Sequence, residues 1–208
     1  MQVRLLGQFA IASGNHIASS WPRPSARRLC ELVLVSPGRR ITRDLACEEL
    51  FPRLEPRAAA RALSKALSMA RSALADLGEP AAGLLAADLG HIWVPPAVES
   101  AIEVDAEVLT AALREGLSMA PGQDRDGRLA AALAEDGELL ADEPYAGWAE
   151  RARERLAALR QEARLALARD RAMGSGRSAS GEFGAALREV GADEGTRGLL
   201  AGGVVIQA

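Results

Sequence analysis

The chain has 208 residues, enough for one large domain or two small ones. Hydrophobic residues make up 49% and charged residues 25%, an ordinary globular balance, and no apolar run is long enough for a membrane span. Two cysteines and two histidines argue against a disulfide scaffold or a Cys/His zinc site.

The net charge of −3 is unevenly spread. Residues 1–78 carry 12 Lys+Arg against 6 Asp+Glu, whereas the remainder carries 13 against 22. A basic first third predicts a polyanion partner at that end. The opening Met1–Leu6 turns polar too soon for a signal peptide. The residues up to Ala18 read as short strands, with turn chemistry at Ser13-Gly14-Asn15.

A first helix follows Trp21-Pro22-Arg23-Pro24. Ala26, Leu29, Leu32 and Val33 recur at helical spacing until Ser36-Pro37-Gly38 stops it. Thr42 is placed to cap a short second helix that carries Leu45, Ala46 and Leu50 and ends at Phe51-Pro52.

The third helix, over 57–77, has a divided wheel at about 100° per residue. Arg57, Arg61, Ser64, Lys65, Ser68, Arg71 and Ser72 share an arc of roughly 120°. Leu63, Ala66, Leu67, Ala70, Leu74 and Leu77 fall opposite, and no acidic residue occurs from Arg57 to Leu74. Solvated helices mix both signs of charge, and this face does not. Leu84–Ala87, Asp88-Leu89-Gly90 and His91–Val94 then read as strand, turn and strand. Pro95-Pro96 marks a junction.

From Asp105 the pattern is helical. Val108, Leu109, Ala112, Leu113 and Leu117 form one stripe, Pro121–Gly127 reads as a loop, and 129–140 as a second helix interrupted at Gly137. A third runs over 147–172 with the stripe Trp148, Ala152, Leu156, Leu159, Ala163, Ala166 and Leu167. Gly174–Gly181 reads as a flexible link, followed by two weak helical stretches, 182–190 and 194–205.

Catalysis finds no convergent titratable set, so no catalytic residue, cofactor or metal is expected. His16 and His91 are far apart, and Cys30 and Cys47 read as core. The acidic pairs Asp124/Asp126, Glu135-Asp136 and Asp142-Glu143 read as solvated loops and helix ends. The order strands, three helices, hairpin, with a cationic third helix, is that of a winged helix whose third helix suits the major groove. Leu29, Leu32, Leu45, Leu63, Leu67 and Leu74 form the expected core beneath it.

The runs Ser25–Leu34, Ser36–Leu45, Glu49-Leu-Phe-Pro52 and Ala60–Ser68 resemble the winged helix of Streptomyces antibiotic regulatory proteins (SARPs), of the OmpR/PhoB class. Ile102–Asp105 and Asp142–Leu156 resemble the bacterial transcriptional activator domain that follows it. The resemblance implies a mainly α chain, a winged helix-turn-helix (α+β) followed by an all-α tetratricopeptide-like domain. Its parts would be a DNA-binding domain over 1–96, a helical domain over 97–173 and a truncated second repeat or tail over 174–208. It implies a cytoplasmic bacterial activator of a biosynthetic gene cluster, binding double-stranded DNA at promoter direct repeats as a homodimer. It further implies that no receiver domain precedes the winged helix. RNA polymerase would be met through the loop Phe51–Pro56, and DNA through Arg57, Arg61, Ser64, Lys65, Ser68 and Arg71. Where the family carries a late Ser-Arg-Leu-Arg-Arg pattern, this chain has Ser68-Met69-Ala70-Arg71-Ser72. That loss leaves an alternative: an interaction module that ignores DNA and dimerises with a full-length relative through its helical domain.

Overall fold

The computed structural model describes residues 1–190, with side chains described as far as Met173. The expected stretch over 194–205 lies outside the described residues. Three N-terminal strands, β1 (Gln2–Arg4), β2 (Ala10–Ser13) and β3 (His16–Ala18), form an antiparallel meander. Gly7 and Gly14, with φ of 78° and 57°, make its turns in a region that favours glycine.

The sheet is completed from far along the chain. β7 (Glu103–Val104) pairs parallel to β1, placing Val104 beside Val3. Asp105 then accepts the backbone N–H groups of Leu5 and Leu6 at 2.8 and 3.0 Å. Leu5 and Gly7 also exchange backbone hydrogen bonds with Leu140 and Glu138. The first seven residues are thus built into the helical half.

The middle of the chain is a winged helix. Helix α1 (Pro24–Val35) and helix α3 (Pro56–Ala75) each begin with proline, where the missing N–H costs nothing. Helix α2 (Arg43–Leu50) is capped by Thr42, whose hydroxyl accepts the Leu45 N–H at 3.2 Å. A second sheet orders β4 (Arg40–Thr42), β6 (His91–Trp93) and β5 (Ala86–Ala87), all antiparallel.

Leu29, Leu32, Leu63, Leu67 and Leu74 are buried, but Leu45 is 44% exposed. Helix α2 has only eight residues and turns Ala46 and Leu50 inward, which leaves Leu45 on its flank, beside a groove shared with Trp148.

The short helix α4 (Pro96–Glu99) leads through β7 into α5 (Asp105–Ser118). Of the α5 stripe, Leu109 and Leu113 are buried, while Val108 lies exposed. Helix α6 occupies Gln123–Leu133, two turns earlier than the sequence pattern suggested. Asp124 and Asp126 suit its N-terminal dipole, so Pro121-Gly122 alone suffices as the break.

The segment expected to continue that helix, 134–140, is irregular, as is the turn that follows it to Ala146. Two arginines of the long helix that begins at Gly147 hold it. Arg153 donates to the carbonyls of Leu139, Leu140 and Glu143, and Arg160 to those of Glu135 and Gly137. Gly137 packs closely there: a Cβ would sit 3.0 Å from the Leu6 Cβ, a tight contact.

Helix α7 extends over Gly147–Val190, through the segment expected to be a flexible link. No proline follows Pro144 in that run to interrupt it. Among its stripe, Leu156, Ala163, Ala166 and Leu167 are buried. One connected core runs from Val3 to Ala166. Among the described residues no helix is long and apolar enough to cross a membrane.

Candidate nucleic-acid interface

Helix α3 separates its two faces cleanly. Ala59, Leu63, Ala66, Leu67, Ala70 and Leu74 are buried against α1 and α2. Arg57, Arg61, Ser64, Lys65, Ser68 and Arg71 are all exposed on the other side. Among the described residues, none of Arg57, Arg61, Lys65 or Arg71 has a carboxylate within salt-bridge distance.

Two of the six are engaged with the rest of the domain. Ser64 Oγ donates to the Ala60 carbonyl and accepts from Arg43 Nη2 at 3.0 Å. Arg71 Nε donates to the Leu85 carbonyl at 3.0 Å, which links the end of α3 to the base of the wing.

The structure adds residues that the helical wheel could not supply. Arg43, the first residue of α2, reaches α3 through Ser64 and also donates its backbone N–H to Gly90 in the wing turn. Arg40 is exposed and holds its guanidinium 5.6 Å from the Trp93 ring centroid. Their signal in the sequence was the spacing Arg39-Arg40-x-x-Arg43, but only the folded sheet brings it to α3.

Asp88 shapes the wing turn by accepting the N–H groups of Gly90 and His91 at 2.8 and 2.7 Å. Those bonds hold its carboxyl below the usual range. Leu89, at the tip, is fully exposed.

Other arginines of the basic third serve the interior. Arg27 Nη1 meets Asp142 at 3.1 Å, while Arg27 Nη2 and Arg28 Nε share one oxygen of Glu143 at 2.5 and 2.8 Å. Arg39 Nη2 contacts both oxygens of Glu107, at 2.8 and 2.7 Å. The charge asymmetry therefore has two uses, and part of it joins the two ends of the chain. The expectation that Asp142-Glu143 is a solvated pair is corrected: Glu143 is only 5% exposed, because α1 supplies it with two cations.

The remaining candidates behave differently. Cys30 is fully buried and burial pushes its thiol pKa up, whereas Cys47 is half-buried and raised in the same direction. His16 is exposed on its strand. Among the described residues no group of three or more His, Cys, Asp or Glu side chains is arranged to hold a metal.

No family model matches the sequence, and no curated protein does. Among solved structures, Mycobacterium tuberculosis EmbR, in complex with a low-affinity phosphopeptide, is similar with a TM-score of 0.66 at 21% sequence identity. The similarity covers 90% of this chain and 50% of the EmbR chain. The chain thus spans half the length of that neighbour. At this identity the likeness bears on the fold alone: a mainly helical architecture with small sheets, consistent with a winged helix followed by a helical module.

Proposed function

We propose that this chain is a SARP-type transcriptional regulator that binds double-stranded DNA through the outer face of α3. Arg57, Arg61, Ser64, Lys65, Ser68 and Arg71 form that face, with Arg40 and Arg43 beside it. The single observation carrying the reading is the row of exposed cations on α3 with no carboxylate near them, next to a hairpin wing. Such a face is attracted to phosphates, and its width suits the major groove. The likeness to EmbR supports the fold on which this face stands.

In this reading the protein acts in a bacterial cytoplasm as a homodimer on promoter direct repeats and performs no catalysis. The loop Phe51–Pro56, with Leu54 46% exposed, faces RNA polymerase.

The test is binding to the promoter DNA of neighbouring genes at two salt concentrations. Arg61→Ala and Lys65→Ala each weaken binding across sequences and lower the salt slope by about one unit. Unchanged affinity in both variants overturns the surface assignment.

A second reading has one observation in its favour. Arg71 is partly engaged at Leu85, so the last turn of the face offers less free cation. In that reading the chain pairs with a longer relative through its helical half and leaves DNA to it. A stable dimer that ignores DNA selects this alternative.

A further inference from the structure

The residues of the α3 face are not equivalent. On the helical wheel Ser64 and Arg71 lie together at one edge of the arc, and both are tied to parts of the domain outside α3. Arg57, Arg61, Lys65 and Ser68 occupy the rest of it. A serine hydroxyl has a single proton to donate, and Ser64 gives it to the Ala60 carbonyl at 2.9 Å. A lone pair of the same oxygen accepts Arg43 Nη2 at 3.0 Å. Ser64 therefore has no proton left to offer a base edge.

Arg43 is held at both ends. Its backbone N–H donates to the Gly90 carbonyl in the wing turn at 2.9 Å, and its guanidinium is drawn onto α3 by Ser64. The residue is half-buried, and among the described residues no carboxylate lies within salt-bridge distance of it. A guanidinium presents several N–H donors in a planar fork, so one bond to a neutral hydroxyl leaves its charge unspent for a phosphate. A long arginine side chain left alone samples many rotamers, and binding has to freeze them. The bond to Ser64 removes part of that cost before DNA arrives.

We propose that Arg43 grips a DNA backbone phosphate between α3 and the wing, and that Ser64 is the positioning residue that presents it instead of a reader of bases. Both roles rest on the DNA-binding reading of α3 and change the part that Ser64 plays within it. A phosphate contact made this way strengthens binding without regard to sequence, because the phosphate is the same at every step of the duplex.

The experiment measures the affinity of the full chain for two duplexes across a range of salt, one from the promoter of the neighbouring genes and one of random sequence. Arg43→Ala weakens both complexes roughly tenfold and lowers the salt slope by about one unit. Ser64→Ala weakens both by about threefold to tenfold, the cost of ordering one long side chain on binding. In the Arg43→Ala background Ser64→Ala has no further effect. Ser64→Thr keeps the parent affinity because it retains the hydroxyl, whereas Ser64→Val behaves like Ser64→Ala. Alanine is the better helix former, so the melting temperature of Ser64→Ala does not fall and its weaker binding is not a loss of fold. Parent affinity in Ser64→Ala, a loss confined to the promoter duplex, or a loss undiminished in the Arg43→Ala background each overturns the proposal. Arg61→Ala, measured beside them, separates this failure from that of the whole face. If Arg61→Ala still weakens binding, only the roles of Arg43 and Ser64 fall; if it too binds as the parent does, the DNA face falls with them.

Discussion

Arginines in the basic third of the chain meet two different surroundings. On α1 and the turn after it, Arg27, Arg28 and Arg39 have side chains 22, 45 and 9% exposed, and each meets at least one carboxylate from beyond residue 98. On α3, Arg57, Arg61, Lys65 and Arg71 are exposed and meet none among the described residues. Residue for residue both groups raise the charge of the first third alike, yet only the second leaves a field for an external polyanion. A charge excess along a sequence therefore does not locate a binding surface. Its position on a helix does, together with the absence of acids that the fold could bring against it.

The largest expected effect comes from breaking the paired group. Glu143→Ala leaves Arg27 and Arg28 without their shared carboxylate and lowers stability by about 2 to 3 kcal/mol, at or below the low end for a buried pair because Arg28 is half exposed. Urea denaturation measures this. Lys65→Ala, made in the unpaired group, changes stability by less than about 0.5 kcal/mol. Equal effects from the two variants would erase the distinction.

DNA binding reverses that order. Arg61→Ala/Lys65→Ala lowers the slope of log affinity against log salt by about two units. Arg28→Ala, on the paired side, leaves the slope unchanged. A loss of slope in Arg28→Ala would show that DNA reaches α1 as well.

The α3 surface was legible because one helix contains both of its determinants, cations on one arc and leucines on the other. The Thr42 cap and the wing turn at Asp88 were also local. What the sequence hid depended on distant partners. Leu45 lies outside the core because a short α2 points Ala46 inward. Gly137, which resembles a helix interruption, instead packs tightly against Leu6. Arg153 and Arg160 show nothing in the helical pattern that reveals their binding to carbonyls of the preceding segment. Arg40 and Arg43 join the α3 surroundings only through the pairing of β4 with β6.

The junction also titrates. Glu31 is fully buried on α1, and both its carboxylate oxygens lack hydrogen-bond partners, with Arg27 Nε 3.4 Å away. Burial pushes its pKa up to about 7 from 4.5; Arg27 and Arg28 oppose the rise, while Glu143 and Asp142 add to it. Between those values the folded state retains a proton that the unfolded state releases. Stability is therefore full below about pH 4.5 for this group and falls as pH rises toward about 7. Glu31→Gln removes that dependence and stabilises the protein by about 1 to 3 kcal/mol at about pH 8, measured by denaturation across pH. A wild-type profile as flat as that of the variant would mean that Glu31 stays ionised throughout.

Arg71 lies on the boundary of the comparison, exposed like Arg61 yet tied through Nε to the wing base. Arg71→Ala removes that bond and lowers stability by about 1 kcal/mol, less than the loss at Glu143. It also removes one cation and, if a phosphate lies there, about one unit of salt slope. Arg71→Lys separates the two roles, because lysine keeps the charge but has no Nε–H at that position to reach the Leu85 carbonyl. A reading role predicts that Lys restores the slope while the stability loss remains. A purely structural role predicts that neither variant alters the slope, and the DNA face then ends at Ser68.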